Sequence, residues 1–187
     1  VIEVDGELIS KPYVEITLNL LRRFGVAVRR EDWPKLHIPG NQRYPRPGAI
    51  HVEGDASSAS YFLAAGAIAG GPVKVEGIGQ DSIQGDVRFV EVIERMGASV
   101  RWGPNWIEAS REAPLRALDA DLNHIPDAAM TAAMMALFAD GPTTPPNLGR
   151  LRVPATDPPA AVAAEFRNAG PFVEVAPGFA HLTTPAR

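Results

Sequence analysis

The chain has 187 residues, of which 45% are hydrophobic and 21% charged, and its formal net charge is −4. This length suits one domain or two small lobes with a real core, and the mild acidity excludes a broad basic surface for nucleic acid. The absence of cysteine excludes disulfides, thiolate nucleophiles and Cys-bound zinc and is compatible with a cytoplasmic protein. We find no apolar run of membrane-spanning length and no signal peptide, so we expect no membrane association.

The first third of the chain predicts one helix among short strands. Residues 1–5 alternate as a strand, and Ser10 or a neighbour caps a helix over Pro12–Phe24 whose apolar residues recur near one face. Gly25 ends this helix, since glycine tolerates the left-handed conformation found there. Further strands are expected at Val26–Arg29, Leu36–Ile38 and Ile50–Glu53.

The second block opens with a nearly all-apolar helix from Asp55 to Ala69, a pattern typical of a buried helix. A strand over Val73–Glu76 and an amphipathic helix between Gly85 and Gly97 follow. Two short strands, Val100–Trp102 and Trp106–Glu108, complete the block as a hairpin-like pair.

The stretch Asp121–Thr131 predicts the start of a second buried helix. Pro126 suits the first helical position, and Asp127 then lies in the first turn, where the helix dipole favours a negative charge. This carboxylate fits either a proton acceptor or an ordinary helix-start aspartate. Later elements are expected at Thr143–Asn147, Ala160–Asn168, Phe172–Val175 and Ala180–Leu182.

These blocks repeat along the chain. The helix-ending residues Gly25, Gly97 and Gly170 are 72 and 73 residues apart, and Asp55 and Asp127 are 72 apart. A period this long exceeds that of a helical solenoid. It predicts a mixed α/β (α+β) fold built from copies of a unit with one buried and one amphipathic helix.

Five segments resemble the 5-enolpyruvylshikimate-3-phosphate synthase family: Ser10–Tyr13, Gly54–Phe62, Gly77–Gly79, Gln84–Asp86 and Asp121–Met130. The resemblance implies two lobes, each with three βαβαββ units, in an inside-out α/β barrel that is incomplete here. Residues 1–54 are expected to form the end of the N-terminal lobe. Residues 55–187 are expected to form the C-terminal lobe with its third repeat missing, so we expect a piece of a longer protein.

The resemblance also implies an activity. The family transfers the enolpyruvyl group of phosphoenolpyruvate to the 5-hydroxyl of shikimate 3-phosphate, with no metal or organic cofactor. By position, Asp127 matches the general base, Ser10 matches a serine that binds the shikimate phosphate, and Tyr13 matches a tyrosine that lines that substrate-binding site. Without the resemblance, Ser10 is an ordinary helix cap and Tyr13 an ordinary core aromatic.

One segment departs from the family pattern. Arg150 stands at a family asparagine, where it could add a phosphate contact, while Pro154, Ala155 and Pro158 replace a lysine, a glutamate and an arginine. Proline and alanine side chains supply neither charge nor donor. We therefore expect the isolated chain to be inactive or very weak.

Two hypotheses remain for the isolated chain. It is part of an enzyme that a complementing N-terminal half would restore, or it is a non-catalytic module that binds an anionic ligand or a partner. An apolar surface left by missing repeats also predicts self-association. The Ser10–Tyr13 and His124–Met130 motifs argue against the related transferase that acts on a UDP-sugar.

Overall fold

The computed structural model describes residues 1–6, 8, 11–122 and 124–141 together with the backbone of 172–176 and 179–183. Contacts divide the chain into unit 1 (Val1–Glu53 and Ile83–Gly85) and unit 2 (Gly54–Ser82 and Asp86–Arg187). The predictions at Ser10, Thr143–Asn147, Arg150 and Ala160–Asn168 lie outside the described residues. Within the described residues, no helix is both long enough and apolar enough to cross a membrane.

The described residues of unit 1 form one helix and a three-stranded antiparallel sheet in the order β1–β3–β2. Its elements are β1 (Ile2–Glu3), α1 (Lys11–Arg23), β2 (Arg29–Glu31) and β3 (Lys35–His37). The helix and both strands of the hairpin lie within three residues of their predicted bounds. Among the described residues of unit 1, only Val26 is buried.

The predicted strand Ile50–Glu53 is wrong, because this segment is irregular and Val52 is 84% exposed. Its alternating side chains have no neighbouring strand to pair with. Instead, the Glu53 carboxylate accepts hydrogen bonds from the Ile83 backbone N–H at 3.4 Å and the Gln84 side-chain amide at 3.1 Å.

Unit 2 contains the core. Its elements are α2 (Ala56–Ala69), β4 (Val73–Glu76), a 3-10 turn (Gly85–Arg88), α3 (Phe89–Arg95), β5 (Ser99–Gly103), β6 (Trp106–Ser110), β7 (Leu115–Arg116), α4 (Ala129–Ala136), β8 (Ala139–Asp140), β9 (Phe172–Ala176) and β10 (Phe179–Thr183). Strands β4–β6–β5 form an antiparallel sheet, β7 pairs parallel with β8, and β9 pairs with β10. Both hairpins were predicted, and so was the helix Ala56–Ala69, although it is buried on one face only, since Tyr61 and Phe62 are each 60% exposed.

Helix α2 shows why this sequence folds as it does. Asp55 caps its start, and Gly70, with φ +85°, ends it in the left-handed conformation. The helix between these caps is almost entirely apolar, so it packs against the β4–β6–β5 sheet and helices α3 and α4. A fully buried side chain such as Leu63 stabilises the fold by about 1.5–3 kcal/mol.

The repeat is visible in matching local structures. Gly25 and Gly97 both have positive φ, and the residue after each donates its backbone N–H to the carbonyl five residues earlier. This is the Schellman arrangement at a helix end. Strands β9 and β10 pair with the same register as β5 and β6, displaced by 73 residues. The predicted mixed fold of repeated units is therefore confirmed.

The start of α4 corrects one expectation. The helix begins at Ala129, and residues 124–128 form turns, so Pro126 and Asp127 precede the helix rather than open it. Proline and aspartate are also common turn formers, which explains why the sequence pattern fits both structures. The helix also ends before the predicted Ala139, which instead pairs with Leu115.

Candidate active site at the start of the buried helices

Asp55 organises the first turn of α2. Its carboxylate accepts hydrogen bonds from the backbone N–H groups of Ser57 at 3.1 Å and Ser58 at 3.3 Å, and from the Ser58 hydroxyl. The hydrogen bond from the Ser58 hydroxyl is the main cause that lowers the pKa of Asp55. Burial opposes it, and the backbone donors of Ser57 and Ser58 lower the pKa further. Asp55 therefore carries a stable negative charge where the helix dipole favours one.

Ser57 links this turn to a second carboxylate. Its hydroxyl donates a hydrogen bond of 2.5 Å to Asp86 Oδ2 in the 3-10 turn before α3, and Asp86 is only 7% exposed. Burial raises the pKa of Asp86, the Ser57 hydrogen bond opposes this rise, and the charges of Asp127 and Asp55 add to it. Two carboxylates close to a buried third disfavour the ionised form of Asp86.

Asp127 lies in the turn before α4 and is exposed to solvent. Its charge raises the pKa of Asp86, while His124, in the same turn, lowers it. The structure thus brings Asp127, Asp55 and His124 within electrostatic range of Asp86 in unit 2. An accessible carboxylate with such neighbours is chemically able to accept a proton.

The remaining predicted residues have different outcomes. Tyr13 lies in the first turns of α1 in unit 1 and is 43% exposed, which makes a buried core aromatic the wrong interpretation. Ser10 and Arg150 lie outside the described residues, as do Pro154, Ala155 and Pro158. Within the described ranges, no group of three or more His, Asp or Glu side chains is suited to a metal ion.

Sequence reasoning missed the participation of Ser57 and Asp86. Asp86 was taken as part of the start of an amphipathic helix and as the end of the family-like segment Gln84–Asp86, but no role in the site was assigned to it. A carboxylate three residues before a helix with four buried positions (Phe89, Val90, Val92 and Ile93) is the signal that could have identified it. Ser57 offered no comparable signal, because small residues fill the whole start of α2.

The fold and this site define a class. The chain is similar in structure to EPSP synthase from Acinetobacter baumannii, with a TM-score of 0.72 and 23% identity, over 90% of this chain and 40% of that one. It is also similar to the enolpyruvyl transferase NikO from Streptomyces tendae, with a TM-score of 0.70 and 20% identity, over 93% of this chain and 40% of that one. The architecture is therefore that of the enolpyruvyl transferases.

Sequence comparison narrows this class. The model of the EPSP synthase (3-phosphoshikimate 1-carboxyvinyltransferase) family matches residues 1–187, so the chain belongs to that family. It is 63% identical to the 3-phosphoshikimate 1-carboxyvinyltransferase of Janthinobacterium sp. (strain Marseille) over 186 residues. It is 62% identical to that of Herminiimonas arsenicoxydans over 185 residues. The chain spans 42% of the length of each of these relatives.

Proposed function

We propose that this chain is part of an enzyme that transfers the enolpyruvyl group of phosphoenolpyruvate to the 5-hydroxyl of shikimate 3-phosphate. The family match over the whole chain carries the proposal. The accessible carboxylate of Asp127, beside the Ser57–Asp86 pair, supports it chemically. The proposed setting is the cytoplasm, which the lack of cysteine permits.

Asp127 is proposed as the general base. It takes the proton of the 5-hydroxyl while that oxygen bonds to the central carbon of phosphoenolpyruvate, and an acid protonates the methylene carbon. The resulting tetrahedral intermediate then loses a proton from the new methyl group and expels phosphate. The base must lie within hydrogen-bonding distance of the hydroxyl. Asp127 is exposed to solvent, so a substrate can approach its carboxylate.

Substrate binding is assigned to three further residues. The hydroxyl groups of Ser10 and Tyr13 are proposed to contact the phosphate of shikimate 3-phosphate, and Arg150 to add a cationic contact. Charge-assisted hydrogen bonds of this kind are the strong ones at phosphate sites. Residues 1–54 are proposed to form the last part of the N-terminal lobe, and residues 55–187 to form most of the C-terminal lobe.

We propose that the isolated chain is inactive or very weak and needs a complementing N-terminal half. Pro154, Ala155 and Pro158 supply no charge where the family pattern has charged residues, and losing one oxyanion-type donor alone costs about 10²–10³ in rate. The same three residues favour the alternative of a non-catalytic module that binds an anionic ligand. Self-association through uncovered apolar surface remains part of that alternative.

The experiment measures phosphate release by the purified chain, alone and mixed with a separately expressed N-terminal half and third C-terminal repeat from a family enzyme. We expect activity only in the mixture, and Asp127→Asn should reduce it by about 10²–10⁴. The exposed Asp81 gives the matched control Asp81→Asn, which should keep the activity. Full activity of Asp127→Asn would refute the assignment of the base.

A binding measurement separates the two hypotheses. Calorimetric titration with shikimate 3-phosphate is run on the chain alone and on the mixture. Binding by the chain alone without turnover in the mixture supports the non-catalytic module. Turnover in the mixture supports the enzyme. Efficient turnover by the chain alone would contradict the proposed need for a complementing half.

A further inference from the structure

Unit 1 contains a cavity of about 460 Å³ that the proposed reaction does not use. One wall is a stripe of α1, formed by Glu15, Leu18 and Arg22. The opposite wall is the segment 26–30, which leads into and includes part of β2, with Pro39 beside it. A volume of this size falls within the range of about 300–1,000 Å³ that small-molecule sites occupy.

The charges around this cavity have a positive excess. Among the described lining residues, three are arginines, Arg22, Arg29 and Arg30, and one is a carboxylate, Glu15. Glu15 is already paired with Arg30, whose guanidinium also stacks 4.4 Å from the centre of the Trp33 ring. Arg30 is therefore held in place, and Glu15 is neutralised.

Arg22 and Arg29 have fewer protein partners that would compete with a ligand for their guanidinium groups. Arg22 forms no ion pair in the part of the chain that the structure describes. Glu31, which interacts electrostatically with Arg29, is hydrogen-bonded to His37 at 2.7 Å. Both guanidinium groups thus keep donors for a ligand.

The walls are built before any ligand arrives. The Gln42 amide accepts a hydrogen bond from the Ala27 N–H at 2.7 Å and donates to the carbonyls of Ala27 and Pro39, each at 3.0 Å. This clamp fixes the two parts of the wall to each other. Apolar side chains of Leu18, Val26 and Val28 complete the lining, and a preformed site saves the ordering cost of binding.

We propose that this cavity binds a small organic phosphate monoester. Arginine forks match phosphate oxygens in a bidentate way, and two guanidinium groups with free donors suit a dianion. The apolar walls and the volume leave room for an organic body beyond the phosphate. The site lies in unit 1, its described lining includes neither Asp127 nor Tyr13, and it does not depend on the proposed reaction.

The test follows the amide NMR signals of the purified chain during titration with phenyl phosphate, with inorganic phosphate and phenol as parallel arms. We expect saturable shifts at residues 26–30 and at the Arg22 side chain, with phenyl phosphate binding tightest. Arg22→Ala and Arg29→Ala should each weaken binding by about tenfold, as expected from the loss of a hydrogen bond to a charged group. Both side chains are exposed, so the fold should survive these changes.

Arg23→Ala is the matched control, because Arg23 is the neighbouring arginine in the last turn of α1 and does not line the cavity. It should change the affinity by less than about twofold, as expected for a surface charge. An equal loss with Arg23→Ala would overturn the site. So would unsaturable shifts, shifts confined to Tyr13 and Asp127, or inorganic phosphate or phenol binding as tightly as phenyl phosphate.

Discussion

Asp86 is the one carboxylate that is buried among the residues the structure describes. Burial, and then the charges of Asp127 and Asp55, raise its pKa above the ordinary value of 3.8. A carboxyl group whose pKa is higher in the folded state favours folding while it is protonated. Its contribution is fully present below pH 3.8 and is lost as the pH rises through the raised pKa.

Asp86→Asn should remove this pH dependence, because asparagine imitates the protonated acid and can still accept the Ser57 hydrogen bond. We expect the variant to gain stability relative to the parent chain as the pH rises from about 4 to about 7. Urea denaturation at both pH values measures the difference. The exposed Asp81→Asn serves as the control, and a constant difference between parent and Asp86→Asn across this range would contradict the prediction.

A second residue-scale prediction concerns the buried hydroxyl pair that joins α2 to α4. The Ser60 hydroxyl donates to the Ser57 carbonyl at 2.6 Å and lies 2.8 Å from the Thr131 hydroxyl, so Thr131 is assigned as the donor to Ser60. Ser60→Ala leaves the buried Thr131 hydroxyl without its Ser60 acceptor and should lower the free energy of unfolding by about 1–3 kcal/mol. Thr131→Val leaves Ser60 bonded to Ser57 and should cost less. Chemical denaturation of both variants tests this asymmetry, which equal costs would disprove.

At the scale of elements, α2 depends on close approach to the sheet beneath it. A Cβ atom added at Gly66 meets the Ala109 carbonyl oxygen on β6 at 2.5 Å and Val73 Cβ on β4 at 3.0 Å. The backbone of β6 cannot move aside as a flexible side chain could. Gly66 therefore sets the distance between the buried helix and the sheet.

Gly66→Ala should destabilise the chain by about 1–3 kcal/mol through overpacking. This holds although alanine is a better helix former by about 1 kcal/mol, since that gain only partly offsets the clash. Gly71→Ala, where an added Cβ meets nothing within 4 Å, is the matched control and should be nearly neutral. Thermal unfolding of both variants gives the comparison, and a stabilised Gly66→Ala would show that the sheet yields.

The hydrophobic pattern of the sequence predicted those helices and strands that are determined by their own residues rather than by distant partners. Helix α2 follows from its apolar run between Asp55 and Gly70, and the hairpin ending at Ser110 follows from alternation around Gly103-Pro104. The exact start of α4 did not follow, because Pro126 and Asp127 suit a turn and a helix start equally. The strand pair β7–β8 did not follow either, since two-residue strands are defined by their partner rather than by their own pattern.

In the candidate site, too, some residues could be predicted from local sequence and others could not. Asp127 could be singled out from its motif, whereas Asp86 acquires its properties from burial and from charges on segments distant in sequence. No local pattern encodes the proximity of Asp55, Asp86 and Asp127, which depends on how the starts of α2, α3 and α4 come together in unit 2.

At the scale of the whole molecule, the two units differ in burial. Among described residues, unit 1 buries only Val26, whereas unit 2 holds a core cluster that extends from Ala56 to Ala139. Local stability follows buried apolar contacts. Unit 1 is therefore expected to open far more readily than unit 2.

Amide hydrogen exchange of the isolated chain should show this difference. The α1 amides should exchange through openings of clearly lower free energy than the α2 amides, which should approach the global stability of the chain. Addition of a complementing N-terminal half should slow exchange in α1 and leave α2 nearly unchanged. Equal protection of α1 and α2 in the isolated chain would contradict the expectation.

The matching hairpins also have a consequence for engineering. Strands β5–β6 and β9–β10 have the same strand lengths, the same connection length and the same register, displaced by 73 residues. A chimaera that places the sequences of 172–176 and 179–183 at 99–103 and 106–110 therefore keeps the register of strand pairing within the hairpin. Because β6 also pairs with β4, such a chimaera tests whether the side chains of the second hairpin tolerate a third strand beside them.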